Sequence, residues 1–158
     1  MPFEPRQATM PDIRELHAFL LGDAANNRLL PRSLSDLYAR TRDFHLLYDE
    51  KGLLAGCCAL SLVWEDLAEI RSLLVREDLR GKGLGRALVL ACADAARALG
   101  IRRLFTLTYE KLFFNRLGFV EVGKDVLPQK IWADCIHCPK FPDCDEIAMQ
   151  RDLEDKKP

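Results

Sequence analysis

The sequence lacks a long apolar run, and this absence limits the classes of protein to which it can belong. Its apolar stretch around Leu53–Val63 is too short and too interrupted to span a bilayer. The start Met1-Pro2-Phe3-Glu4-Pro5 also lacks the basic residues and the apolar core of a signal peptide. We therefore expect a cytoplasmic protein without a membrane partner.

An excess of charge of one sign is missing too. The 23 basic and 24 acidic residues give a formal net charge of −1, so no bulk field favours nucleic acid as a partner. The sequence shows no repeat, no low-complexity tract and no clear linker. A chain of 158 residues that is 49% hydrophobic can bury one sizeable core. These features predict one domain over residues 1–153, followed by a charged tail over 154–158.

Helical and strand patterns alternate along the chain. Thr9 with Asp12, and Ser33 with Asp36, give two helix start signals, and Gly100 gives a stop signal. The patterns predict helices over 10–21, after Ser33, over the segment marked by Leu84, Leu88, Cys92, Ala95 and Leu99, and near 110–117. They predict strands over 2–7, 43–49, 53–63, 67–76 and 101–108, with strand-like pieces after Gly118. Hairpins followed by a strand–helix–strand unit predict an α/β (α+β) fold whose mixed, mostly antiparallel sheet has helices on both faces.

A basic, glycine-rich segment lies between a predicted strand and the long helix. This glycine loop comprises Arg80, Gly81, Lys82, Gly83, Leu84, Gly85 and Arg86. Glycine lets backbone N–H groups approach a phosphate closely, and the start of a helix attracts anions. The segment is neither a Walker loop nor a dinucleotide fingerprint, because the required residues are missing or displaced. It predicts either an anion site or a flexible, solubilising connector.

The context of the glycine loop resembles the GNAT family of acetyltransferases. Arg80-x-x-Gly83-x-Gly85 follows an apolar strand end, as in the acetyl-CoA motif of that family. Further on, Phe113-Phe114-Asn115-Arg116-Leu117-Gly118-Phe119 resembles the family's Phe-Tyr-x-x-x-Gly-Phe segment. The resemblance implies acetyl-CoA as cosubstrate and a sheet splayed between its two central strands. The cleft would align acetyl-CoA and an amine for direct attack, without a covalent enzyme intermediate.

The resemblance also implies which residues hold the cosubstrate. The backbone of Leu73, Leu74 and Val75 would pair with the pantetheine arm as an added strand would. The glycine loop would hold the pyrophosphate, and Asn115 could contact the arm.

Glu69 is the candidate base for the amine. Strand alternation places Glu69, Arg71 and Leu73 on one face, with the first two roughly 7 Å apart. A free glutamate has a pKa of about 4.3, so it would need burial or a water relay to act near neutrality. The alternative is a solvated strand pair that forms a weak salt bridge.

Phe114 departs from the family pattern. Many members carry a tyrosine there that protonates the leaving thiolate, which phenylalanine cannot do. Tyr109 could substitute, or water could suffice. Packing in the core is the alternative role for Phe113 and Phe114.

Most of the chain resembles a particular branch of the family, the short bacterial N-acetylglutamate synthases. The likeness extends from about Phe3 to about Leu153 and includes Leu30–Ser33, Ala68–Leu73, Leu104–Tyr109, Leu127–Cys135 and Cys138–Met149. It implies transfer of the acetyl group to L-glutamate, as in the first step of arginine synthesis. It also leaves arginine feedback in doubt, because long synthases carry an amino-acid-kinase-like domain that is missing here.

L-Glutamate would need a pocket with at least two cations. Arg71 and Lys130 are the first candidates, with Arg28 and Arg32 from a segment that could cap the pocket. Each of these cations could equally be plain surface charge. Two other functions stay open: acetylation of a different amine, such as another amino acid, a polyamine or a protein N-terminus, and non-catalytic binding of acyl-CoA. A homodimer is possible.

The six cysteines fall into two groups. Cys57, Cys58 and Cys92 lie in predicted core elements, where free cysteine acts as a small hydrophobe. Cys135, Cys138 and Cys144, with His137 among them, resemble half of a zinc site, but the spacing is not a common one and reduced thiols are favoured over metal. A reversible disulfide is a third possibility. No metal is therefore predicted. His17 and His45 are predicted to pack or to face solvent.

Overall fold

The structure is a computed structural model that describes residues 4–24, 32–126 and 146–153. The helices are α1 (Ile13–Ala24), α2 (Leu34–Ala39), α3 (Leu84–Ala98) and α4 (Lys111–Asn115). The strands are β1 (Arg6–Gln7), β2 (Phe44–Tyr48), β3 (Leu54–Trp64), β4 (Leu67–Val75), β5 (Arg103–Thr108), β6 (Val120–Val122) and β7 (Ile147–Asp152). No helix in these ranges is both long and apolar enough to cross a membrane.

Local signals explain where several helices begin and end. The Ser33 side chain accepts a 3.0 Å hydrogen bond from the Asp36 amide, which confirms the predicted start of α2. Gly100 follows α3 with a φ of 84°, the left-handed conformation expected after a helix. The predicted helix over 10–21 begins with a 3-10 turn, Met10–Asp12, before α1. Leu99 was expected on the buried face of α3, but it lies beyond the helix and is exposed.

The strands form one open, mixed sheet in the order β1-β2-β3-β4-β5-β7-β6. The pairs β1–β2, β2–β3, β5–β7 and β6–β7 are antiparallel. Strand β4 pairs with β5 in parallel, through Leu67–Glu69 and Arg103–Phe105. The predicted mixed, mostly antiparallel sheet is therefore confirmed.

The chain divides into two compact units, Met1–Ser61 with Ile70–Ala95 and Leu62–Glu69 with Ala96–Pro158. In the first unit, helices cover both faces of the sheet. Leu46 packs in a buried cluster with Leu16 of α1 and Leu37 of α2. The preceding residue, His45, points to the opposite face because side chains alternate along a strand, and there it contacts Cys92 of α3.

The second unit has its own apolar contacts. Its core includes Leu67, Phe105 and Ala148. The ring of Phe114 in α4 packs edge-on against Phe119, with centroids 5.1 Å apart. That the whole chain is a single domain over 1–153 stays a prediction.

Candidate active site

Strand β4 carries the predicted base. Glu69 is buried, with 8% of its surface exposed, and Arg71 is half-buried. The alternative of a solvated strand pair is therefore wrong for Glu69. Burial is one of the two alternatives, burial or a water relay, by which this carboxylate could act as a base near neutrality.

The backbone of β4 changes conformation directly after Arg71. Ser72 has a φ of 54°, in the left-handed region that side chains other than glycine rarely adopt. Such a residue within a strand interrupts its alternation, as in a β-bulge. Simple alternation therefore holds between Glu69 and Arg71, but it does not set the direction of the Leu73 side chain, which was predicted to share their face.

Arg76 anchors the end of β4. Its amide donates to the carbonyl oxygen of Ala55 at 2.8 Å, and its Nη2 lies 3.0 Å from a carboxylate oxygen of Asp49. A further ion pair joins its Nε to Asp78 at 2.8 Å. These contacts hold the strand end that leads into the glycine loop.

The glycine loop owes its shape to two residues. Gly81 and Gly83 have φ values of 78° and 83°, which an L-amino acid adopts only with strain. No atom lies within 4 Å of the position that a Cβ would take on either residue. The space beside the backbone is thus open, as a cradle for an anion requires.

The loop leads directly into α3. The Ala87 amide donates to the Gly83 carbonyl oxygen at 3.1 Å, and the amides of the preceding helical residues have no acceptor within the helix. They and the helix dipole favour an anion at this end. Arg80, Lys82 and Arg86 are exposed around it, and Arg80 Nε also donates to the Val75 carbonyl oxygen at 3.1 Å. This arrangement suits the predicted anion site, and the choice between that site and a flexible, solubilising connector stays a prediction.

Other predicted cosubstrate contacts lie on the same stretch of chain. Leu73 and Val75 are half-buried, whereas the side chains of Leu74 and Leu84 are buried, so only the backbone of the latter two is suited to a ligand. Gly85 lies in the first turn of α3.

The second unit holds the remaining candidates for the reaction. Tyr109 directly follows β5 and is 47% exposed. Phe114 is buried and contacts the rings of Phe113 and Phe119, which confirms the packing role considered for the Phe113–Phe114 pair. Asn115 is exposed at the end of α4.

Two of the predicted cations for the acceptor act on each other in the first unit. Arg32 is largely buried and pairs with Asp36 at 3.0 Å. Burial lowers the pKa of Arg32, and the positive charge of Arg71 lowers it further. Burial raises the pKa of Asp43, whereas Arg40, Arg32 and Arg71 oppose that rise. Arg32 and Arg71 were predicted for one pocket, but no local pattern predicts that Arg40, Asp36 and Asp43 join them.

Several predicted residues lie outside the described residues. They are Arg28, Lys130, Cys135, His137, Cys138 and Cys144. Within residues 4–24, 32–126 and 146–153, no group of three or more histidine, cysteine or acidic side chains could hold a metal ion.

The remaining cysteines are buried free thiols, as predicted. The Cys92 Sγ lies 3.5 Å from His45 Nδ1. A hydrogen bond from Cys58, together with His45, lowers the pKa of Cys92, whereas burial opposes the change. The Cys57 thiol lies on the other side of β3, 3.2 Å from the Ser72 carbonyl oxygen.

Comparison with known proteins identifies the class. The acetyltransferase (GNAT) family model matches residues 10–119, more than half of the chain. The chain therefore belongs to the GNAT family. It is an N-acetyltransferase, and acetyl-CoA is its cosubstrate. The predicted role of each site residue stays a prediction.

Two relatives are similar to this chain over most of its length. An uncharacterised N-acetyltransferase of Chlorobaculum tepidum is 41% identical over 148 residues, which cover 94% of this chain and 95% of the relative. The amino-acid acetyltransferase of Mycobacterium tuberculosis is 36% identical, over 74% of this chain and 66% of the relative.

A solved structure gives a close match in shape. N-acetylglutamate synthase from Neisseria gonorrhoeae, complexed with coenzyme A and N-acetyl-glutamate, superposes with a TM-score of 0.86 at 30% identity. The match covers 97% of this chain and 35% of that synthase, so the chain spans about a third of its length.

Proposed function

We propose that this enzyme transfers the acetyl group of acetyl-CoA to the α-amino group of L-glutamate and so forms N-acetylglutamate. The observation that carries the proposal is the largely buried Arg32 guanidinium, which pairs with Asp36 at 3.0 Å and whose pKa the positive charge of Arg71 lowers. The relatives named amino-acid acetyltransferase, and the N-acetyl-glutamate bound by the gonococcal synthase, support the same acceptor.

The charges around Arg32 suit an acidic acceptor. Three guanidinium groups, those of Arg32, Arg40 and Arg71, interact there with the carboxylates of Asp36 and Asp43. L-Glutamate brings two carboxylates, and arginine can hold a carboxylate through two parallel hydrogen bonds. A polyamine would be better suited to an acidic cleft.

In the proposed reaction, Glu69 accepts a proton from the ammonium group of glutamate. The free amine attacks the thioester carbonyl carbon, the C–S bond breaks, coenzyme A leaves as a thiolate, and the new amide nitrogen loses its second proton to water. Tyr109 or water then protonates the thiolate, because Phe114 has no proton to give. In cells, this reaction would begin arginine synthesis; the cytoplasmic location and the homodimer also stay predictions.

The acceptor is tested by incubating the purified protein with acetyl-CoA and a panel of amino acids and polyamines, with products followed by mass spectrometry. We expect turnover with L-glutamate and little with glutamine or polyamines. Acetylation of another amine alone would refute the proposed acceptor but keep the enzyme class. Binding of coenzyme A without any turnover would favour a binding module.

Variants of the cations test the pocket. Arg32→Ala and Arg71→Ala should each raise the KM for glutamate by about tenfold to a hundredfold, because a charged hydrogen bond contributes about 1.5–3 kcal/mol. Arg42→Ala is the matched control, since Arg42 is an exposed arginine of the same region. An equal rise in all three variants would contradict the pocket.

A further inference from the structure

Ser72 has a strained backbone conformation directly before the part of β4 that is predicted to bind the cosubstrate. It is the one residue other than glycine with a positive φ among those that the structure describes. A serine persists in this conformation only where surrounding contacts hold it. The residues that follow directly are Leu73–Val75, whose backbone is predicted to pair with the pantetheine arm.

Cys57 of the neighbouring strand β3 contacts Ser72. Cys57 is fully buried among residues of α1, α2 and β2. Its thiol donates a hydrogen bond to the Ser72 carbonyl oxygen, with the sulfur 3.2 Å from that oxygen. Because the thiol is fixed by the core on one side, it can hold the Ser72 carbonyl in one direction.

Because the peptide bond is planar, a fixed Ser72 carbonyl also fixes the N–H of Leu73. The Ser72 carbonyl and the Leu73 N–H belong to the same peptide unit, and in a trans peptide the two point in opposite directions. A carbonyl aimed at Cys57 therefore aims the Leu73 N–H away from Cys57.

We propose that Cys57 is a positioning residue for acetyl-CoA, which uses its thiol to fix the Ser72–Leu73 peptide and so to present the Leu73 N–H to the cosubstrate. The role depends on the predicted contact between Leu73 and the pantetheine arm. It is independent of which amine accepts the acetyl group.

The test measures the Kd of coenzyme A by calorimetry, without an acceptor, so it stands apart from the test of glutamate. Cys57→Ala removes the donor and should weaken binding by about three- to tenfold, the range expected for one neutral hydrogen bond. Cys57→Ser keeps a donor and should bind within about twofold of the wild type. Cys58→Ala is the matched control, because Cys58 is equally buried but faces α3.

A second change separates positioning from simple packing. Ser72→Gly supplies a residue that adopts positive φ without strain. If the thiol acts by holding the kink, the double variant Cys57→Ala/Ser72→Gly should recover most of the affinity that Cys57→Ala loses. A lost packing contact would not be restored in this way.

Infrared spectra add a direct readout. The S–H stretching band that disappears in Cys57→Ala should lie at the lower frequency of a hydrogen-bonded thiol. Three results would each overturn the proposal: wild-type affinity in Cys57→Ala, equal losses in Cys57→Ala and Cys58→Ala, or no recovery in the double variant. Thermal melts of every variant verify that each is folded.

Discussion

Replacing Gly83 with alanine tests whether the backbone of the glycine loop sets the affinity for acetyl-CoA. Gly83 has a φ of 83°, and nothing lies within 4 Å of the position of an added Cβ. The substitution therefore introduces backbone strain without a steric clash. A left-handed conformation costs an L-residue about 1–2 kcal/mol.

The cost can fall on folding, on binding or on both. If the loop keeps its shape, the free energy of unfolding falls by about 1–2 kcal/mol. If the loop relaxes instead, the Kd of coenzyme A rises by up to about 5- to 30-fold, because 1.4 kcal/mol corresponds to a factor of ten. Calorimetry measures the change in the free energy of binding, denaturant unfolding measures the change in the free energy of unfolding, and the two changes together should account for the backbone strain. Gly83→Asn should lose less, since asparagine tolerates this conformation better.

Two other glycines serve as matched controls. Gly52 lies in the turn between β2 and β3 with a φ of 78° and similarly open space. Gly52→Ala should lose stability but bind coenzyme A as the wild type does. Gly22 lies within α1, so Gly22→Ala should stabilise by about 0.5–1 kcal/mol. If Gly83→Ala changed neither quantity, or if Gly52→Ala weakened binding equally, the reasoning would be refuted.

Two more predictions concern side chains. Phe114→Tyr should destabilise the fold by about 1–3 kcal/mol without raising kcat, because the new hydroxyl enters a site packed by Phe113 and Phe119. Denaturant unfolding measures the loss of stability and steady-state assays measure kcat. A raised kcat would contradict the prediction. Asp12→Asn should cost about 1 kcal/mol at neutral pH, since Arg6 lies 2.8 Å away but is half exposed. Arg6 lowers the pKa of Asp12, so this stabilisation is full above the unfolded-state pKa of about 3.9 and is lost as the pH falls below it. Melting curves of both proteins should therefore converge in acid, and a constant gap would contradict the assignment.

Local signals in the sequence predicted many of the elements. The cap at Ser33 and the stop at Gly100 depend on residues within one turn of the helix end, so the sequence displays them directly. The glycine loop was predicted for the same reason, since Gly81 and Gly83 mark positions that need a positive φ.

Features that depend on distant parts of the chain were not predicted. Serine does not favour a positive φ, so no residue near Ser72 predicts its left-handed conformation. The Ser72 carbonyl oxygen accepts a hydrogen bond from Cys57, which lies 15 residues away in the sequence. The approach of Arg32 to Arg71 also required the tertiary fold. Leu99 shows that a local pattern can also mislead. Its spacing from Ala95 is helical, but α3 ends at Ala98 and Leu99 is exposed.

The sheet order has a consequence for synthesis on the ribosome. Strand β7 lies between β5 and β6 and pairs with both, although β6 ends at Val122 and β7 begins only at Ile147. As the chain emerges, β5 and β6 therefore expose unpaired backbone edges until the segment Ile147–Asp152 has left the exit tunnel. Exposed edges can pair with other chains. A chain that is truncated before Ile147 would thus be prone to aggregation.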